Sequence, residues 1–200
     1  MSVLSIYFRL AVVMPLTVAA ILIAGRSTAV AQDERRDSAR SAALETVEAH
    51  VRKTFTSVRH MSPEALAALL AASSDRIVLL DVRTAEEFAV SRLQGAIHVA
   101  PDAGNAAEIA AQAGGLKDKI VIAYCSVGVR SSRLLARLGQ RLQDQGAAEL
   151  HNLSGGAFRW RNEQRSLVAA GGQTRNIHPY NVVWRQLLVD PPVAKQAQER

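Results

Sequence analysis

The sequence predicts an α/β domain, a three-layer arrangement with a central parallel sheet flanked by helices. Short strand-like runs at Ile77-Val78-Leu79-Leu80, Gly95-Ala96-Ile97-His98-Val99, Ile120-Val121-Ile122-Ala123 and Glu149-Leu150-His151-Asn152-Leu153 alternate with helical patterns. Such alternation means parallel strands joined by right-handed crossovers. The runs at 77–80 and 120–123 are apolar without a break, as strands covered on both faces are.

Residues 1–31 read as an export signal. Arg9 is the only charge before the apolar run Leu10 to Ala24, and Ala29-Val30-Ala31 supplies small residues ahead of Gln32-Asp33-Glu34. The uninterrupted run is about 16 residues, short of the roughly 20 that span a bilayer, so cleavage after Ala31 is favoured over a retained anchor. In either case the folded part is expected outside an inner membrane, in a bacterial periplasm. Membrane contact is expected only if the segment stays attached. Residues 32–56 are expected to hold a polar linker over 32–40 and an amphipathic helix over about 41–56, on the spacing of Leu44, Val47, Val51 and Phe55.

The main domain is expected over 57–168. Ser62-Pro63-Glu64 starts a helix with a capping serine and an early proline, and Leu66, Leu69 and Leu70 form its buried stripe. Asp81-Val82-Arg83 leaves the strand at 77–80. Thr84-Ala85-Glu86-Glu87 matches a capping box for a short helix through Phe88. Asp81 is expected to accept backbone N–H bonds, and Arg83 to pair with Glu86 or Glu87. Residues 105–113 are alanine-rich and helical, ended by Gly114-Gly115. Beyond the strand at 120–124, Leu134, Leu135, Leu138 and Leu142 share one face of a helix to about 144. After the strand at 149–153, Gly155-Gly156 turns into a helix through Trp160. Residues 169–200 form an extension: a turn at Gly171-Gly172, and a short helix with Val183, Trp184, Leu187 and Leu188 that packs on the domain and ends at Pro191-Pro192. His178 or Tyr180 is a candidate border of the site, and the tail after Lys195 is expected to be disordered.

Composition excludes several function classes. The chain is 48% hydrophobic and 21% charged with formal charge +6, and loss of residues 1–31 would leave +4. That excess is scattered and no nucleic-acid motif is present, so nucleic acid is not an expected partner. The five histidines show no metal-ligand spacing, and one cysteine cannot build a thiolate zinc site. No metal or cofactor is expected. With a single cysteine in an exported chain, no internal disulfide can form, and any oxidised sulfur on it must be discharged by an outside molecule.

That cysteine lies in Tyr124-Cys125-Ser126-Val127-Gly128-Val129-Arg130-Ser131-Ser132, where a strand hands over to a helix. In an open α/β sheet this edge binds ligands. A lone cysteine is ordinarily a small buried hydrophobe. Here the strand, glycine, arginine and helix start together point to a different role. Loop and helix-start N–H groups favour an anion at their centre, Gly128 permits the turn, and Arg130 adds a fixed positive charge. Such a field favours a thiolate. Cys125 is the candidate nucleophile, expected exposed at the loop's mouth, with the amides and Arg130 stabilising moving charge.

From about Ser57 to Val168 the chain resembles a rhodanese domain of the single-domain sulfurtransferase type. Three blocks carry the resemblance in order: Leu79 to Phe88 with Gly95 to Val99, Tyr124 to Ser132, and Leu153-Ser154-Gly155-Gly156 followed by Trp160. The resemblance implies an enzyme whose Cys125 takes a sulfane sulfur from a donor such as thiosulfate and passes it, as a persulfide, to cyanide or a thiol. Ser126, Val127, Gly128, Val129 and Arg130 would line the pocket, by main-chain amides and the Arg130 side chain. The alternative is a persulfide carrier or interaction module for another exported protein. Many thiosulfate-using members carry a basic residue where this chain has Ser126, and Val127 and Val129 make the loop less charged. Ser91-Arg92-Leu93 replaces the Gly-His-Ile usual in the family. Related phosphatases place five residues between cysteine and arginine. The four here, Ser126 to Val129, suit a single sulfur atom better than a phosphoryl group.

Overall fold

The computed structural model describes residues 14–189, with side chains from residue 30. Residues 1–13, Pro191-Pro192 and the tail beyond Lys195 lie outside the described residues. The chain divides into two units at the Ala39–Arg40 junction, which falls inside the first helix, α1 (Met14–Thr54). Residues 32–40, expected as a linker, are therefore helical. Between Gln32 and Thr54 there is no glycine or proline to stop the helix. Among the described residues no helix is long and apolar enough to cross a membrane.

The second unit carries five parallel strands: β1 (His60–Met61), β2 (Ile77–Asp81), β3 (Ile97–His98), β4 (Ile120–Tyr124) and β5 (Glu149–Leu153), in the order β1-β5-β4-β2-β3. β4 is central. It pairs with β2 from Ile77↔Ile120 to Asp81↔Tyr124, and with β5 from Ile120↔Glu149 to Ala123↔Asn152. Helices α2 (Pro63–Ser73), α3 (Ala85–Val90), α4 (Ala106–Gln112), α5 (Val129–Asp144) and α6 (Gly156–Asn162) connect or follow the strands. Their starts obey local chemistry. Ser62 Oγ accepts from Ala65 N–H, Asn105 Oδ1 from Ala107 and Glu108, and Thr84 with Glu87 forms a reciprocal capping box.

Each sheet face has its own core. Leu80, Val121, Ala123 and the α5 residues Leu134, Leu135, Leu138 and Leu142 form one. Leu66, Leu79, Ile122, Tyr124, Leu153 and Trp160 form the other. The alternation along β2 and β4 thus sends successive residues to opposite faces. Beyond the sheet, β6 (Leu167–Ala169) and β7 (Gly172–Thr174) make an antiparallel hairpin. Arg92 bridges to Val168 beside it, so the Ser91-Arg92-Leu93 segment joins this added hairpin. The last described helix, α7 (Val182–Arg185), is capped by Asn181.

A third apolar cluster lies outside the two sheet faces. It joins Leu44 and Val47 of α1, Val127 and Val129, Phe158 of α6, and Ile177, Trp184, Leu187 and Leu188 of the C-terminal extension. Glu48 of α1 is buried and held by Arg159 at 2.8 and 2.9 Å and by Arg52 at 3.2 Å. The part of α1 from Arg40 onward and the extension therefore converge on the segment that carries Cys125.

Candidate active site

Strand β4 ends at Tyr124, and residues 125–128 turn into α5. Gly128 caps that helix with φ +96, a left-handed conformation that side chains resist. A Cβ there would also lie 2.9 Å from Asn152 Nδ2. Asn152 is fixed in turn by Ser131 Oγ, which donates to its Oδ1 at 2.6 Å. Gly128 has no side chain to cap α5. Its first-turn N–H groups lack partners within the helix and favour negative charge beside them. Gly128 N–H donates to Cys125 Sγ at 3.2 Å.

The loop is braced from behind by α6. Cys125 O accepts from Ala157 N–H at 2.8 Å, and Ser126 O from Phe158 N–H at 3.0 Å. This close approach depends on Gly156. A Cβ on it would stand 2.2 Å from Cys125 O and 2.8 Å from Ser126 O. The glycine pair legible in the sequence is thus the point where α6 meets the loop.

Arg130 is clamped. Its Nη1 donates to Glu87 Oε2 at 2.6 Å and its Nη2 to Glu87 Oε1 at 2.8 Å, a two-pronged charge-assisted pair. Nη2 also reaches Ser126 Oγ at 3.0 Å, and Ser126 Oγ donates to Glu87 Oε1 at 2.7 Å. Thr84 N–H adds a bond to Glu87 Oε2 at 3.0 Å. Burial by itself raises the Glu87 pKa, but Arg130, the Thr84 N–H and the Ser126 hydroxyl outweigh it and bring it to about 2. Burial opposes the charge on Arg130, and the bonds to Glu87 with the nearby Cys125 sulfur more than offset that, raising its pKa. The aromatic ring of Tyr180 lies over the guanidinium, 4.7 Å from Cζ to ring centre.

A second polar network underlies the site. Arg83 donates to both Asp81 oxygens at 2.8 and 2.6 Å, and to Ser91 O at 2.5 Å. Tyr124 donates to Asp81 Oδ2 at 2.8 Å and accepts from Leu93 N–H at 3.1 Å. Burial, reinforced by the Asp81 carboxylate, holds the Tyr124 pKa well above its ordinary value, so the phenol remains a donor. Asp81 accepts the Arg83 N–H as expected. Arg83, however, pairs with Asp81 and not with Glu86 or Glu87, because Glu87 is committed to Arg130 and Glu86 lies on the exposed face of α3.

The candidate residues separate by chemistry. Cys125, Gly128 and Arg130 meet at one place. The Ser126 side chain belongs to the Glu87–Arg130 clamp. Val127 and Val129 direct their side chains into the third apolar cluster, leaving their main chain to border the loop. The expected exposure of the sulfur is not met: Cys125 is 1% exposed. The short loop folds the sulfur back onto its own Gly128 amide, with Arg130 close beside it. Glu87 is the residue that sequence reasoning left without a place in the site. Its capping-box signal was legible, but its second role depends on a partner 43 residues away. Among the described residues, no group of three or more His, Cys, Asp or Glu side chains is placed to hold a metal ion.

A parallel sheet with a cysteine at the exit of its central strand, in a loop closed by a glycine and an arginine, defines a class of cysteine-centred α/β domains. Residues 62–163 match the Rhodanese-like domain family, just over half of the chain. The chain belongs to that family. No curated protein matches it. Among solved structures, it is similar to the BH2092 protein from Bacillus halodurans, at 18% identity over 76% of this chain and 97% of that one, with TM-score 0.49. It is similar to a thiosulfate sulfurtransferase from Pseudomonas aeruginosa at 24% identity and TM-score 0.48, over 74% of this chain. The match spans 26% of the Pseudomonas protein. A Rhodanese-like domain protein from Staphylococcus aureus aligns at 24% identity over 52% of this chain and 91% of that chain, with TM-score 0.40.

Proposed function

We propose that this domain is an exported sulfurtransferase that carries sulfane sulfur on Cys125. The observation that carries the reading is the bond from Gly128 N–H to Cys125 Sγ, made by a loop whose first two carbonyls are engaged by α6. Negative charge that develops on sulfur as a bond to it forms or breaks is stabilised by this amide. Arg130, held beside it by Glu87, adds a fixed cation.

The chemistry balances with no cofactor. The Cys125 thiolate attacks the outer sulfur of thiosulfate, the S–S bond of the donor breaks, and its electron pair leaves with sulfite. The product is a persulfide anion on Cys125. Cyanide or a thiolate then attacks the terminal sulfur, and the electron pair of that S–S bond returns to Cys125. The loop amides serve both stages, because each begins or ends with negative charge on sulfur at the same place.

Burial of Cys125 bears on the rival reading, a carrier discharged only by another protein. A residue 1% exposed is reached only through local opening, and a smaller opening admits a small donor than a thiol fixed on a folded surface, which favours small donors and acceptors. Thiosulfate-to-cyanide transfer measured at steady state tests the assignment. Turnover that disappears in Cys125→Ser supports it, and loading followed by discharge only with a protein acceptor supports the carrier.

A further inference from the structure

The extension beyond the family match returns to the site. Tyr180 has φ +64, in the left-handed region that a non-glycine residue seldom occupies and that concentrates at functional positions. Local bonds hold it there. Tyr180 N–H donates to His178 Nδ1 at 3.1 Å, and Asn181 N–H to Pro179 O at 2.8 Å. Asn181 Oδ1 then accepts from Val183 and Trp184 to start α7. The segment is moored at its far end as well, where Asn162 Nδ2 donates to Leu187 O at 2.8 Å and Val189 N–H to Asn162 Oδ1 at 3.0 Å.

This strained turn places the Tyr180 ring on the face of the Arg130 guanidinium, while Glu87 and Ser126 take its N–H groups. Arg130 is thereby fixed in its plane by Glu87 and Ser126 and across its face by Tyr180. Ile177, Trp184, Leu187 and Leu188 of the same segment pack with Val127 and Val129 of the loop. The Tyr180 residue itself stays 45% exposed. Its ring faces Arg130, and Arg130 in turn stands beside Cys125.

We propose that Tyr180 is a positioning residue for Arg130 and the size selector over Cys125. It admits small sulfur donors and acceptors, of the size of thiosulfate or a low-molecular-weight thiol, and keeps out thiols fixed on folded proteins. The identity of the small molecules rests on the sulfur-transfer reading. The control of access does not.

Cys125 is the only cysteine of the chain, so thiol labelling followed by intact mass reports on this one atom. The full chain is treated with iodoacetamide and, separately, with a polyethylene-glycol maleimide. Tyr180→Asn removes the ring while keeping a residue that tolerates a left-handed backbone, and Tyr180→Phe keeps the ring. Relative to iodoacetamide, the bulky reagent is expected to label Tyr180→Asn about tenfold faster than the native protein, by raising the accessible population. Tyr180→Phe is expected to match the native ratio, since the stacking needs the ring and not the hydroxyl. An unchanged ratio in Tyr180→Asn, or a Phe variant that behaves like Asn, overturns the proposal. If the ratios shift as stated but no donor loads sulfur on the native protein, the selector stands and the sulfurtransferase reading fails. If sulfur loads but the ratios do not shift, only the selector fails.

Discussion

Two arginine–carboxylate pairs lie near the ends of β2 and β4, and they do different work. Asp81 and Arg83 are separated by one residue, and both side chains are 0% exposed. Their remaining bonds run to Ser91, Tyr124 and the backbone of the same fold. Glu87 and Arg130 are 43 residues apart, on α3 and α5. Glu87 is as deeply buried as the first pair, but the Arg130 side chain is 17% exposed and stands between Ser126, Tyr180 and the neighbourhood of Cys125. The same ionic chemistry thus serves architecture in one place and presents a cation to the sulfur in the other. What separates the two is where the guanidinium's remaining faces point, not the strength of the pair.

The largest effect is expected at the first pair. Asp81→Asn leaves Arg83 a buried charge with a weakened partner and is expected to lower stability by about 3–5 kcal/mol, the cost of breaking a buried ion pair. Denaturant unfolding measures it. Folded molecules of that variant should still load sulfur, because nothing in the loop's own bonding changes.

Glu87→Gln acts on the second pair. Its stability cost is expected to be smaller, about 1–3 kcal/mol, because the Arg130 side chain is 17% exposed and can be hydrated where Arg83, at 0%, cannot. Its effect on the site is expected to be larger. With one prong of the pair lost, Arg130 is held less firmly, and the rate of sulfur loading should fall by about tenfold or more through misplacement of the charge. Equal loading by the Asp81 and Glu87 variants would erase the distinction drawn between the pairs.

Acid sharpens the same contrast more gently. The Glu87 pKa falls from its ordinary 4.5 to about 2 in the folded protein. The unfolded chain therefore binds this proton first as pH falls. Glu87 contributes its full stabilisation above about pH 4.5 and loses it progressively as pH drops toward 2, a term on the order of 3 kcal/mol. An unfolding series across this window should show a steeper loss of stability in the native protein than in Glu87→Gln.

What was legible in the sequence was what local chemistry writes down. The apolar runs of β2 and β4, the Thr84 and Ser62 caps, the leucine face of α5 and the glycine turns at 128 and 155–156 each carry their own signal within a few residues. The strand–loop–helix unit around Cys125 could be read because all its signals fall in one stretch. The Glu87–Arg130 clamp could not, since either residue alone is an ordinary surface ion on a helix. Proximity along the chain suggests Glu86 or Glu87 as the partner of Arg83, and competition from Arg130 gives it Asp81. The β6–β7 hairpin was legible only as its turn, because three-residue strands show too little alternation. Val127 and Val129 read as a less charged loop. Their reason, an apolar cluster built with α1 and the C-terminal extension, needed both ends of the chain to be brought together.

The account depends most on Cys125 holding a sulfur atom in this loop. The direct measurement is the intact mass of the purified protein after incubation with thiosulfate and other sulfur donors, beside Cys125→Ser. The predicted result is a gain of one sulfur atom in the native protein, removed by cyanide or a small thiol, and no gain in the variant. A native protein that gains no sulfur from any donor, or a variant that gains it equally, would contradict the account.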